Sequence, residues 1–351
     1  DYIAIGKSKF FVQVDTLDEN GTKLNADIRR VISTGMTERS IKKIQVMFSA
    51  LGEVFSFSLC IMQLDKEANK YVEIGLNNIL AGDLFFGTDV SVKTKRQDIH
   101  NTTIYVPPGH VVASGADFDD TYRWQVYPPP LPVFPVFDTT VHDSLLAIAA
   151  SITSTSGNKI KGNLTINSEW DLSTYENNTV FIKGDLVVSG SNAIIPSGTT
   201  QNPGYIVVDG TVDYKNACSV GDNIITIASG NLAVISTGTR YGKDWSHLSF
   251  KDRPNRVNEL FSYTNVDMSA GIVFANVASL GDLQLRGTIY AACYCTGTVE
   301  IESATFQGSV VANNTKLDRI TNSILEFIPP LPGSATGGLK PTIVPGSWKL
   351  L

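Results

Sequence analysis

The sequence predicts a mostly β fold: a β-solenoid, or β-helix, joined to a small antiparallel sheet, with one short helix. Three observations predict it. A Gly-polar-aliphatic signature occurs seven times, at Gly82, Gly162, Gly184, Gly210, Gly230, Gly287 and Gly308. Consecutive copies lie 22, 26, 20 and 21 residues apart wherever the rhythm is uninterrupted, about the length of one coil of three short strands with corners. Charged residues make up only 18% of the chain against 42% apolar, a balance that favours strands and tight turns over surface helices.

The physical content of the signature is a corner followed by a strand. In ILAGDLFFGTDVSV (from Ile79), KIKGNLTINS (from Lys159), FIKGDLVVSG (from Phe181) and LRGTIYAACYCTGTVEIES (from Leu285), glycine lets neighbouring backbones approach closely. The aliphatics that follow alternate with polar residues and supply an inward column that stacks on the next coil.

The other segments fall around these coils. Residues 1–52 hold KFFVQVDTL, the turn DENG and then IRRVISTGMTERSIKKIQVMFS, which predict antiparallel strands in a separate sheet module. Residues 53–127 form a first solenoid block. The Pro-rich run 128–138 cannot pair as a central strand, so it is expected to cross the surface as an extended strap dividing the coils into two blocks. Residues 139–327 form the second block. They open with TTVHDSLLAIAASI, whose apolar spacing and candidate N-caps Asp138 or Thr139 predict a short helix able to cover an exposed end coil. Residues 328–351 are rich in Pro and Gly and are expected to pack back along the surface.

Composition also excludes function classes. A net charge of -6 provides no global field for nucleic acid or an anionic membrane. The longest apolar run, 145–152, is too short to span a bilayer. Cys60, Cys218, Cys293 and Cys295 lack C-x-x-C spacing, and Cys293 and Cys295 would share one face of a strand, so buried thiols are expected rather than a metal site. His100, His110, His142 and His247 show no ligand spacing and are expected at surface or turn positions. No nucleophile elbow, phosphate loop or dinucleotide fingerprint occurs. Asp117, Asp119 and Asp120 predict a turn rather than a calcium loop, and the KTKR run from Lys93 a solvated corner. The expectation is a protein that is not an enzyme and uses no cofactor or metal; a β-helical carbohydrate-active enzyme and a self-assembling filament subunit are the alternatives.

One segment interrupts the coil rhythm. In TRYGKDWSHLSFKDRPNRV, residues 239–257, the cations Arg240, Lys243, Lys251, Arg253 and Arg256 are interleaved with Tyr241 and Trp245. Cations suit phosphates or anionic sugars and flat rings suit bases or sugar faces, so these seven residues form the candidate site for DNA or a glycan.

The motifs ILAGDLFFGTDVSV, VFIKGDLVVSG, GYIVVDGTVDY and LRGTIYAACYCTGTVEIES resemble the solenoid of PilX-type minor pilins, a family that includes competence pilins. VQVDTLDENG and VISTGMTERSIKKIQVMF resemble the pilin sheet, and PGSWKLL its terminal Trp-containing segment. The resemblance implies a minor pilin of a bacterial type IV pilus, exposed at the cell surface, with other pilins as partners and a role at the filament tip in DNA uptake or adhesion. The apolar N-terminal helix of such pilins, their contact with the membrane, is missing here, which reads as truncation.

Overall fold

The computed structural model describes residues 2–5, 8–15, 28–36, 41–49, 53–63, 72–93, 99–114, 124–244, 258–327, 342–343 and 349–350. Two sheets organise them. In the smaller, β1 (Tyr2–Ile5), β2 (Ser8–Asp15), β3 (Ile28–Met36) and β4 (Ile41–Ser49) pair antiparallel in order. Thr342–Ile343 and Lys349–Leu350 return from the C-terminal segment and also pair with β4. Arg30 and Asp15 face each other across β2 and β3, and their side chains meet at 2.8 Å. Hydrogen bonds from Gln13 and then Arg30 hold the half-buried Asp15 carboxyl below its ordinary range.

The larger sheet is a three-sided parallel coil. One turn comprises Gly204–Asp209, Val212–Lys215 and Ser219–Val220, and the next Ile224–Ala228, Leu232–Val234 and Arg240–Tyr241, stacked in register strand on strand. Alternation sends Ile206, Val208, Val212, Tyr214 and Val220 into the interior, where each is at most 1% exposed. Cys293 and Cys295 point inward on either side of the outward Tyr294, and all four cysteines are buried free thiols, as their spacing predicts.

The corner signature has a two-part physical cause. A Cβ at Gly210 would lie 2.3 Å from the carbonyl oxygen of Gly184 in the coil before, and one at Gly184 2.6 Å from the carbonyl carbon of Gly162, so the glycines set how closely the coils approach. The polar residue that follows turns its side-chain oxygen along the stack. Asn163 accepts from the Asp185 backbone N–H and Asp185 from that of Thr211, each at 2.9 Å. The same bond recurs from Asp282 to Asn265 at 2.8 Å and from Thr298 to Asp282 at 2.9 Å. Corner donors left over by the strand ladders are thereby satisfied.

The two solenoid blocks of the sequence form one continuous stack in permuted order. Val310 pairs with Leu59 and Leu325 with Leu80, so residues 53–126 continue the column beyond residue 327. One outward column runs Lys159, Phe181, Val207, Ile227, Phe261, Ala278, Tyr294, Val311, Cys60, Phe85, Tyr105, Gln125, twelve positions in unbroken register. The chain therefore has to come back along the outside to begin its second block.

The strap makes that return. Tyr127 packs edge-on against Phe57, Phe85 and Tyr105, and Phe137 stacks on Phe261 at 5.1 Å. Five to six coils separate those levels, about 24–29 Å at a strand spacing of about 4.8 Å. Ten extended residue steps reach about 31 Å. Between them the Tyr294 hydroxyl donates to the Pro135 carbonyl at 2.9 Å.

Helix α1 (Thr140–Ala150) then lies across Thr179–Lys183, Gly204–Asp209 and Ile224–Ala228, burying Leu146 and Ala149 in a cluster with Phe181, Val207 and Ile225. It covers the side of three coils, where an end coil was the expected seat, because outward apolar residues there give it a lateral one. Thr139 is the N-cap, but the oxygen comes from Asp138, which accepts from the Thr140 N–H at 3.1 Å.

His142 departs from the surface placement its context predicts. It is 4% exposed, 4.1 Å ring to ring from Phe261, and its Nε2 lies 3.0 Å from Glu259 Oε1. Two residues along the same outward row, Tyr263 donates to Asp143, a bond that with Thr139 holds the Asp143 carboxyl low. Burial, then that bond, pushes the Tyr263 hydroxyl up. The row Glu259, Phe261, Tyr263 is thus a dock for the start of α1.

Candidate binding surface

The coil has three faces, and each meets solvent differently. The first, along the outward column above, lies beneath the strap and α1. It forms a second apolar layer in which Cys60, Phe85, Val207, Phe261 and Tyr294 are buried. The second carries charges that satisfy one another. Lys215 Nζ is 3.0 Å from Asp213, Lys93 Nζ 2.5 Å from Glu73, and Arg286 Nη2 3.3 Å from Glu300 and 3.4 Å from Glu302, while Ser269 donates to Asp267. Acids outnumber bases five to three in this set, which disfavours a polyanion.

The third face carries few charges among its described residues. One outward column runs Ser219, Arg240, Ile272, Thr288, Thr305, Ile324, Ile79. Its neighbour runs Phe274, Tyr290, Gln307, Glu326, Ala81, His100. Phe274 and Tyr290, one coil apart, stack 4.4 Å between ring centres with planes 7° apart. Phe274 is 2% exposed and Tyr290 half-buried.

The structure divides the sequence-predicted site. Arg240 is exposed on the third face, and Lys243 is exposed just past the strand, its N–H bonded to Asp222 Oδ1 at 2.9 Å. Tyr241 leaves the set, because strand alternation turns it opposite to Arg240. It is fully buried, and its hydroxyl donates to the Ile224 and Glu259 carbonyls at 3.0 and 3.1 Å, with Thr226 Oγ1 at 3.0 Å. Burial pushes its ionisation well above the ordinary tyrosine range. The two-residue period of a strand puts Arg240 and Tyr241 on opposite sides, so they form no joint surface pair. Trp245, Lys251, Arg253 and Arg256 lie outside the described residues, as do Asp117, Asp119, Asp120 and His247.

Sequence reasoning passed over Tyr290, Thr288 and Thr305 because they sit inside repeats read as scaffold. The signal was present: in GTIYAACYC, Thr288 and Tyr290 alternate with Ile289, so they share the outward side. Among the described residues no group of His, Cys, Asp or Glu is arranged to hold a metal ion. Among the described residues no helix is long and apolar enough to cross a membrane.

The sequence matches no protein-family model and no curated protein. Among solved structures, the chain is similar to the crystal structure of the competence-associated pilin ComZ from Thermus thermophilus. Identity is 13% and the TM-score 0.33, over 100% of this chain and 85% of that one. A likeness at that level does not establish a shared family.

Proposed function

We propose that the chain is a pilin-like subunit of a bacterial type IV pilus, carried at the filament tip. The small sheet is its base and the solenoid a body for binding outside the cell, as surface adhesion or DNA uptake requires. The observation that carries this reading is the topology. The solenoid is a single insertion between β4 and the returning strands 342–343 and 349–350. The chain leaves the coil after Ile324–Phe327 and enters it at Leu59–Ile61, which belong to adjoining coils. A body that is entered and left through adjoining coils is an added unit on its base, as display requires. The sequence resemblance to minor pilins supports the same reading, and binding rather than turnover fits a stack whose second-face charges are spent on one another.

Display is tested in the source cell with antibody raised against the solenoid. Labelling at pilus ends that disappears when β4 is disrupted is expected; protein confined inside the cell would overturn the reading. DNA as ligand is tested by neutralising Arg240, Lys243, Arg253 and Arg256 together. Salt-sensitive gel retardation that the fourfold variant loses would support it, and unchanged retardation would remove these residues.

A further inference from the structure

We propose that the third face of the solenoid binds an extended oligosaccharide, with Arg240, Thr288, Thr305, Tyr290 and Gln307 as its contacts. The proposal rests on the reading of the solenoid as a display body and names the class of ligand. Its first support is the state of the polar groups. On the second face, side chains pair with one another. On the third, the Arg240 guanidinium and the Ser219, Thr288, Thr305 and Tyr290 hydroxyls have no side-chain partner among the described residues, although they stand on successive or neighbouring coils. Gln307 donates to Glu326 at 2.7 Å and keeps its own amide oxygen for a donor.

The second support is geometry. Coils repeat about every 4.8 Å, close to the advance of one sugar along an extended β-linked chain, so a glycan lying along the stack meets one row of side chains per residue. Tyr290 is held by stacking on Phe274 and offers its outer ring edge to sugar C–H groups, while hydroxyls and the Gln307 amide serve sugar hydroxyls. Fixed strands position these groups in advance, which lowers the ordering cost of binding. The third support is charge. The two columns carry one described cation, Arg240, and one carboxylate, Glu326, too little to hold a polyanion but enough to select an acidic sugar at the Arg240 end.

The test uses the purified full chain with cellohexaose, chitohexaose and hexagalacturonate, and a dT oligonucleotide as comparator, by calorimetry. At least one hexasaccharide is expected to bind with little salt dependence. Arg240→Ala and Thr305→Val should each weaken it roughly three- to tenfold, and Ser91→Ala on the second face should not. Both test variants alter solvent-side groups, so circular dichroism should be unchanged. No binding to any hexasaccharide, binding indifferent to both variants, or binding of dT alone with a steep salt slope would each overturn the proposal. Because purified protein is used, these outcomes are independent of whether the chain is displayed on a pilus.

Discussion

Replacing Gly210 by alanine tests the coil geometry most directly. The added Cβ would meet Gly184 O at 2.3 Å and Gly184 C at 2.7 Å, both backbone atoms of the preceding coil. Ordinary contact requires about 1 Å more separation. Moving the corner that far stretches bonds now at 2.9–3.1 Å: Gly184 N–H to Asp209 O, Gly230 N–H to Gly210 O and Thr211 N–H to Asp185 Oδ1. At roughly 1 kcal/mol per bond, the loss is about 3 kcal/mol. Gly190→Ala is the control. Its φ of +101° is unfavourable for alanine but nothing lies within 4 Å of its Cβ, so dihedral strain alone should cost about 1–2 kcal/mol. Urea denaturation, with hydrogen exchange to localise the loss, compares the two. If Gly210→Ala costs no more than Gly190→Ala, close coil approach is not why glycine stands at these corners.

Further expectations follow from named contacts. Asp185→Asn should keep near-native stability, since its oxygen can still accept from Thr211 as Asn163 does from Asp185, whereas Asp185→Ala should lose about 1 kcal/mol in the same urea assay. Phe137→Ala should cost about 3–5 kcal/mol and expose α1 to hydrogen exchange, because the ring is packed between Phe261, Tyr294 and His142. The cysteine thiols should resist a disulfide reagent at pH 8 until the chain unfolds. Burial pushes Cys218 up to about 11 and Cys295 up to about 12, and Cys293 in the same direction. Their neutral forms are favoured in the fold, so this stabilisation is complete below the unfolded thiol range near 8.5. It declines as pH rises through the folded values, and a melting temperature flat between pH 9 and 12 would contradict it.

Several features of this molecule are local and therefore legible in the chain. Gly184, Gly210 and the polar residues beside them announce corners because each corner needs a bare backbone and a side-chain acceptor within two residues. Inward Cys293 and Cys295 follow from a period of two, and the strap from prolines that cannot join a ladder. The same period, applied strictly, would have separated buried Tyr241 from exposed Arg240 and joined Thr288 to Tyr290. His142 was not legible, because its burial depends on Glu259 and Phe261, more than a hundred residues away.

By itself the sequence determined the coil, its corners, the small sheet and an extended crossing, since these arise from neighbours along the chain and from alternation within strands. Only the tertiary structure decided the order of the stack, the side on which α1 lies and which side chains of distant coils share a face. Every parallel coil presents a similar edge to the next, so local pattern does not say whether Leu59 pairs with Val310 or with some other edge. That choice is made by long-range fit. The strap must span the distance it returns over, and Phe137 and α1 must find the outward apolar row of Phe181, Val207 and Phe261.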